Sequence, residues 1–196
     1  MVRRVFYHVL LSGNPKRSEM ETLPDDGLES IPPRYLDALY SLNEIGAAIN
    51  RLNSRTNVAE MLQRIAESAV QVVPGSSAVI YAYDTQNHSF DTTSRVAVGA
   101  LVQAAFDDGP LPGGFGMRAI NQQRRVISYE EQDLQIHPGI AATRANVLAC
   151  FPMVVANQPM GLLYICLGQT RKFTRYELLV LDNFVNQAAM MFYHTR

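Results

Sequence analysis

Apolar residues recur along this chain with two periods, and the switches between them lay out its elements. Ala38, Leu42, Ile45, Ile49 and Leu52 are spaced by four, three, four and three, the narrow stripe of a helix that packs on another helix. Asn53 and Ser54 break it. Asn57 with Glu60 three residues on forms a capping-box pattern, and Met61, Leu62, Ile65, Ala69 and Val72 give the next helix one apolar stripe before Pro74 and Gly75 end it. The pattern then becomes β-rich over 78–83, turns at 84–88 and resumes over 90–96. Residues 99–106 read as a short helix, 107–114 as a loop, 115–121 as a second short helix and 125–128 as a short strand. Residues 129–146 form a long irregular stretch, and such stretches in compact domains are lids, binding loops or disordered segments. Two apolar runs, 147–155 and 160–167, flank Asn157, Gln158 and Pro159 at hairpin spacing. Thr174 and Glu177 form a second capping box, after which Leu178, Leu181, Val185, Ala188 and Phe192 repeat the three-four spacing.

The expected architecture is α+β: one antiparallel sheet of about five or six strands, terminal helices packed together on one face, and short helices and loops over the other. Two stripes bracketing one domain suggest that Leu42, Ile45, Ile49 and Leu52 on the first helix, with Leu178, Leu181, Val185 and Phe192 on the last, form a homodimer seam. Residues 1–33, with Pro15, Pro24, Pro32 and Pro33 among turn formers, read as an appendage to a domain over 34–196.

Composition removes several classes of function. The net charge of −1 and the lack of long basic runs give no footprint for nucleic acid. The apolar stretch near the amino terminus, Val5 to Leu11, is far short of the roughly 20 residues that span a bilayer. It carries no small-residue cleavage signal, so a cytoplasmic location with no membrane partner is expected. The sequence has two cysteines, Cys150 and Cys166, and no CxxC pair, Walker lysine, GxSxG elbow or HExxH helix. The hairpin brings the two cysteines close on adjacent strands, where buried structural thiols are the expected state. Asp107 with Asp108 and Glu130 with Glu131 read as solvated loop pairs rather than a metal or acid–base site. No cofactor is required by any motif.

Five segments resemble the GAF domain family over about Tyr35 to Tyr193. Gly113, Gly114, Phe115, Gly116 and Met117 leading to Arg125, Val126 and Ile127 resemble its G-x-x-G helix and the strand after it. His137 and Pro138 resemble the loop before its fifth strand. Cys150 to Met153 resemble its V-P-L strand, Met160 to Leu163 its I-G-V-L strand, and Phe173 to Glu177 the start of its final helix. The resemblance implies a sensory domain of bacterial signalling proteins that binds a small ligand, or only dimerises, and passes the signal to an output protein such as a kinase, cyclase or transcription regulator. Bilin attachment would require a cysteine in the pocket loop, and both cysteines fall in apolar strands. The cyclic-nucleotide signature N-K-x(n)-F-x(3)-D-E survives only as Phe173 and Glu177. Haem would use a histidine such as His137, which also reads as a turn residue. The reductase branch needs exposed thiols with basic neighbours, which neither cysteine has, so no catalytic activity is expected.

In this architecture a ligand lies between the sheet and residues 99–146. The candidates on the sheet are Tyr81, Tyr83 and Phe151. Those on the loops are Phe106, Phe115, Ser128, Tyr129, His137, Arg144 and Asn146. Arg144 is the candidate clamp for an anionic group.

Overall fold

The computed structural model describes residues 33, 36–37, 40, 58–102, 109–131, 134 and 145–195. The chain divides into two units, residues 1–30 and Ile31–Arg196, and every described residue belongs to the second. Residues 33, 36, 37 and 40 are helical. The elements that follow are α1 (Val58–Val72), β1 (Ser76–Asp84), β2 (Ser89–Val98), α2 (Phe115–Gln122), β3 (Val126–Ile127), β4 (Val147–Val155), β5 (Gln158–Leu167) and α3 (Arg175–Thr195). The strands form one antiparallel sheet in the order β2-β1-β5-β4-β3. This is the α+β arrangement expected, with five strands. No helix among the described residues is long and apolar enough to cross a membrane.

Both faces of the sheet are covered, which is why β1 and β5 read as nearly continuous apolar runs rather than alternating ones. On one face α1 contributes Met61, Leu62, Ile65 and Ala69, and α3 contributes Leu181, Phe184, Ala188 and Phe192. These meet Ile80, Ala82, Phe151, Leu163 and Ile165 of the sheet. On the other face Val79, Tyr81, Leu148, Cys150, Leu162, Tyr164 and Cys166 meet Phe115, Ala119 and Ile120 of α2. Alternate residues of each strand serve the two layers, as the pleat requires.

Two irregularities set the register. Between the pairs Ile80–Val96 and Ala82–Asp91, residues 92–95 of β2 bulge out opposite Tyr81. The Ser94 hydroxyl repairs the ladder there. It accepts from the Ala82 N–H at 2.8 Å and donates to the Asp91 carbonyl at 2.6 Å. The β4–β5 hairpin turns on two residues, Ala156 and Asn157, with φ of 49° and 62°, the left-handed pair of a type I′ turn. The turn is therefore shorter than the expected 157–159 loop, and Gln158 and Pro159 belong to β5. Pro159 has no N–H to give, and the ladder slips by one residue between Met153 and Val154 beside it.

The last helix differs from the expected seam. Leu181, Val185 and Phe192 are buried and Leu178 is partly buried, all in the domain's own core. They face the sheet, because that face must be covered before any partner is met. Leu42, Ile45, Ile49 and Leu52 lie outside the described residues, as do Asn57 and residues 103–108 of the expected 99–106 helix. Residues 99–102 form a turn.

The capping box of α3 is present and extended. The Thr174 N–H donates to the Glu177 carboxylate at 2.8 Å, and the Glu177 N–H donates to Thr174 Oγ1 at 3.1 Å. Arg171 adds a two-pronged ion pair, Nη1 to Oε2 and Nη2 to Oε1, each at 2.9 Å. The Glu177 side chain is only 4% exposed. Burial pushes its carboxyl upward, but the Arg171 hydrogen bonds, the Thr174 N–H and the Arg171 charge outweigh it and hold the pKa below its ordinary 4.5. A carboxylate with a lowered folded pKa stabilises the fold at neutral pH, and that stability is lost as pH falls through the folded value. Glu177→Gln is therefore expected to cost about 1.5–3 kcal/mol at pH 7 in urea unfolding. The variant should also lose part of the wild type's fall in stability below pH 4.5; an unchanged acid limb would show that the carboxylate is not the responsible group.

Candidate functional site

The face of the sheet turned away from α1 and α3 holds a cluster of tyrosines and phenylalanines. Tyr81 of β1 stands opposite Leu162 of β5, and Tyr164 lies two residues along β5. The Tyr81 and Tyr164 rings meet edge-on at 6.5 Å, and Phe90 of β2 meets Tyr81 at 6.1 Å and Tyr83 at 5.0 Å, also edge-on. Edge-to-face contact at these distances is the favoured geometry for such rings. Phe115 and Ile120 of α2 cover one end of this layer, and Leu101, Met117 and Leu134 pack at its margin. A cavity of about 250 Å³ opens beside it between His88–Thr92 and Gly109–Met117, with Phe90 in its wall.

Cys150 pairs with Tyr164 across β4 and β5, and Cys166 pairs with Leu148, so the thiols are diagonal neighbours within this layer. Both are free and buried. Burial pushes the Cys150 thiol well above its ordinary range, with Cys166 adding to the effect, and pushes Cys166 up to about 12. Burial also raises the Tyr164 hydroxyl well above 10. None of these groups ionises near neutral pH, so the layer is electrically neutral. Native protein is expected to leave both thiols unreacted with a disulfide reagent at pH 8 for far longer than urea-denatured protein, which should titrate two. Fast titration of either thiol in the native state would contradict the burial.

The structure brings three of the expected ligand residues together: Tyr81, Tyr83 and Phe115. Phe151 pairs with Leu163, which pairs with Ile80, and this places it in the opposite layer beneath α3. Tyr129 also packs on that side, with Lys172 Nζ 5.5 Å from its ring centre and a hydrogen bond to the Phe173 backbone. Ser128 and Asn146 fasten the backbone instead of facing the layer. The Leu148 N–H donates to Ser128 Oγ at 3.0 Å, and Asn146 Nδ2 donates to the Gly168 carbonyl at 2.6 Å. Phe106, His137 and Arg144 lie outside the described residues. Sequence reasoning missed Tyr164 and Phe90 as members of the layer. The signal was available for Tyr164, since it alternates with Leu162 and Cys166 along β5.

The acidic pair at 130–131 also differs from the reading as solvated. Glu130 is exposed, but the Glu131 side chain is 15% exposed and held by two arginines. Arg118 Nη1 lies at 2.7 Å and Arg124 Nη2 at 3.1 Å. This carboxylate ties Glu131 to α2 through Arg118. Among the described residues no group of three His, Cys, Asp or Glu could hold a metal ion.

An antiparallel sheet of this order, with α1 and α3 on one face and the short α2 over an aromatic layer on the other, is a fold of the GAF type. The sequence matches the family described as "GAF domain" over residues 55–192, and the chain belongs to that family. No curated protein matches the sequence. Among solved structures, the GAF domain of an Acinetobacter phosphoenolpyruvate-protein phosphotransferase superposes with a TM-score of 0.56 at 16% identity, covering 80% of this chain and 92% of that one. The GAF domain of a Bacillus halodurans two-component sensor histidine kinase gives 0.56 at 14% identity, with coverage of 70% and 95%. Free methionine-R-sulfoxide reductase from Neisseria meningitidis, solved with its substrate, gives 0.58 at 15% identity, with coverage of 83% and 92%.

Proposed function

We propose that this GAF domain, spanning 34–196, is a sensory module that takes a small, largely apolar or aromatic molecule against Tyr81, Tyr83, Phe90 and Tyr164, and signals through its last helix. The observation that carries the proposal is the aromatic layer itself. A layer of edge-packed rings, covered at one end by α2, adjoins through Phe90 a cavity of about 250 Å³. The stretches 103–108 and 132–144 adjoin it in sequence, and Phe106, His137 and Arg144 within them are proposed to complete the contacts. Sensor-kinase and chemotaxis proteins among the structural neighbours support a signalling role, with a kinase or other output protein as partner. The proposal contains no catalytic step. Although one neighbour is a reductase, a nucleophilic thiol must be exposed and ionisable, and Cys150 and Cys166 are neither. Free thiols fit a reducing cytoplasm.

Homodimerisation is the second part of the reading, and a separate observation favours it. The exposed large apolar side chains among the described residues are Leu36, Tyr40, Leu179, Met190 and Tyr193, all on the terminal helical segments. On α3, Leu179, Asn183, Asn186, Met190 and Tyr193 are exposed at spacings of four, three, four and three. This outer stripe, rather than the buried one, supports a seam.

Native mass spectrometry of the freshly purified full chain tests both parts. A dimer mass carrying a retained small molecule is the expected result, with the molecule lost in Tyr81→Ala. The pair Leu179→Glu and Met190→Glu is expected to give a folded monomer. An apo dimer that binds nothing from an apolar and aromatic metabolite panel leaves a pure dimerisation module and sinks the sensor reading. A wild-type monomer sinks the seam.

A further inference from the structure

A second cavity lies on the other side of the sheet, where the residues entering β3 face α3. It holds about 410 Å³, within the size range of small-molecule sites. Phe151, Pro152 and Val185 form its apolar floor. Arg124 and Arg125 stand on one wall, Asp182 and Asn186 on the other, and Glu130 at the rim.

The Arg125 Nη1 donates to Asp182 Oδ2, tying the two walls. The remaining Arg125 donors and Asp182 Oδ1 have no hydrogen-bond partner among the described residues, and neither has Asn186. Arg124 gives Nη2 to Glu131 and is half exposed beyond that. Burial holds the Asp182 carboxyl above its ordinary 3.8 even beside Arg125, so the groove is partly shielded from water. Gln123, at the end of α2, takes a left-handed φ of 51°, a conformation disfavoured for a side chain, and its amide reaches the Asn157 carbonyl at 2.9 Å.

We infer that this groove is a binding site for a small zwitterion of the α-amino-acid class, its carboxylate on the arginine wall and its ammonium on the Asp182 wall. Charge balance selects the class. The lining carries two arginines against one aspartate and one glutamate, so it has no net charge to offer. A phosphate or nucleotide would bring uncompensated negative charge into a half-buried groove, and a polyamine the reverse. A molecule with one charge of each sign completes both open ends of the Arg125–Asp182 pair. A guanidinium still has donors for a carboxylate after one is used, and the second oxygen of Asp182 can accept from an ammonium. The bound molecule would touch the last helix directly through Asp182 and Asn186. The site is separate from the aromatic layer, which lies across the sheet.

The test is titration calorimetry of the full chain with free neutral α-amino acids from glycine to phenylalanine. Each is paired with its decarboxylated amine and its N-acetyl derivative. At least one amino acid is expected to saturate one site, with both derivatives weaker by tenfold or more. Arg125→Gln and Asp182→Asn should each weaken it at least tenfold. Asn186→Trp, at a position shared with the proposed dimer seam, should block it while keeping the circular dichroism spectrum and the wild-type oligomeric mass. Tyr81→Ala should leave it unchanged, which separates this site from the proposed sensor pocket. Derivatives that bind as well as the parent, binding lost in Tyr81→Ala but kept in Asn186→Trp, or no saturation across the panel would each overturn the inference.

Discussion

Replacing Phe192 by alanine is expected to cost the fold about 3–5 kcal/mol, while Met190→Ala, two residues earlier, should change it by no more than about 0.5 kcal/mol. Phe192 is fully buried in the layer that α3 shares with α1 and the sheet, whereas Met190 is 48% exposed. The phenylalanine variant loses the transfer energy of a large ring and leaves a cavity that neighbours on a rigid sheet cannot fill. Urea unfolding of each variant, at concentrations where the wild type is monomeric or with dimer dissociation included in the fit, measures both values. If the two stripes of α3 had exchanged roles, with the buried one serving a partner, the order would reverse. Phe192→Ala would then alter oligomeric state and leave the monomer's stability nearly intact.

The two stripes also show where sequence reading reached its limit. Leu178, Leu181, Val185 and Phe192 do lie on one face of α3, so the periodicity located the apolar stripe. It did not identify what the stripe packs on. A narrow stripe fits a second helix or a sheet equally well, and the sheet takes it because β4 and β5 present Phe151, Leu163 and Ile165 to it. The outer stripe was obscured because Asn183 and Asn186 occupy its centre, so no hydrophobic count would register it.

Parity across strands was the second limit. Within β1 the alternation of Tyr81 and Tyr83 is local and was readable. Whether Phe151 joins them depends on two successive registers, β1 to β5 and β5 to β4. Those registers put Tyr81 level with Leu162 and Leu162 level with Pro152, and so send Phe151 to the other face. A shift of one residue in either pairing exchanges the faces. The turn at Ala156–Asn157 sets the second of them, and an alanine at positive φ gives little warning of itself. Ser128 and Asn146 were polar residues in the right region, but loop backbone next to a strand end consumed their hydrogen bonds first. The fold class and element order came through because capping boxes and apolar runs are local signals. Residues that meet across the sheet do so through registers, which are not.

Gly116→Ala tests the closest approach in the aromatic layer. Gly116 lies in the first turn of α2, and a methyl group there would overlap the Tyr164 hydroxyl and come within 2.6 Å of Leu162 Cδ2 and 3.0 Å of Tyr164 Cζ. Helix propensity favours the alanine by about 0.5–1 kcal/mol, and overpacking opposes it by about 1–3 kcal/mol. The overlap prevails, because the Tyr164 ring is wedged edge-on against Tyr81 and can move aside only by disturbing that pair. A net loss of about 1–2 kcal/mol is expected in the wild-type background. Removing the hydroxyl changes the balance. In Tyr164→Phe the remaining ring atom needs to give by only a few tenths of an ångström and Leu162 Cδ2 alone must still shift, so the added alanine should cost less there than in the wild type. The double-mutant cycle should return a coupling of about 1–2 kcal/mol in favour of the pair. Additive effects would mean that α2 stands further from the sheet than the structure places it. The floor of the proposed pocket would then be open where it is described as closed.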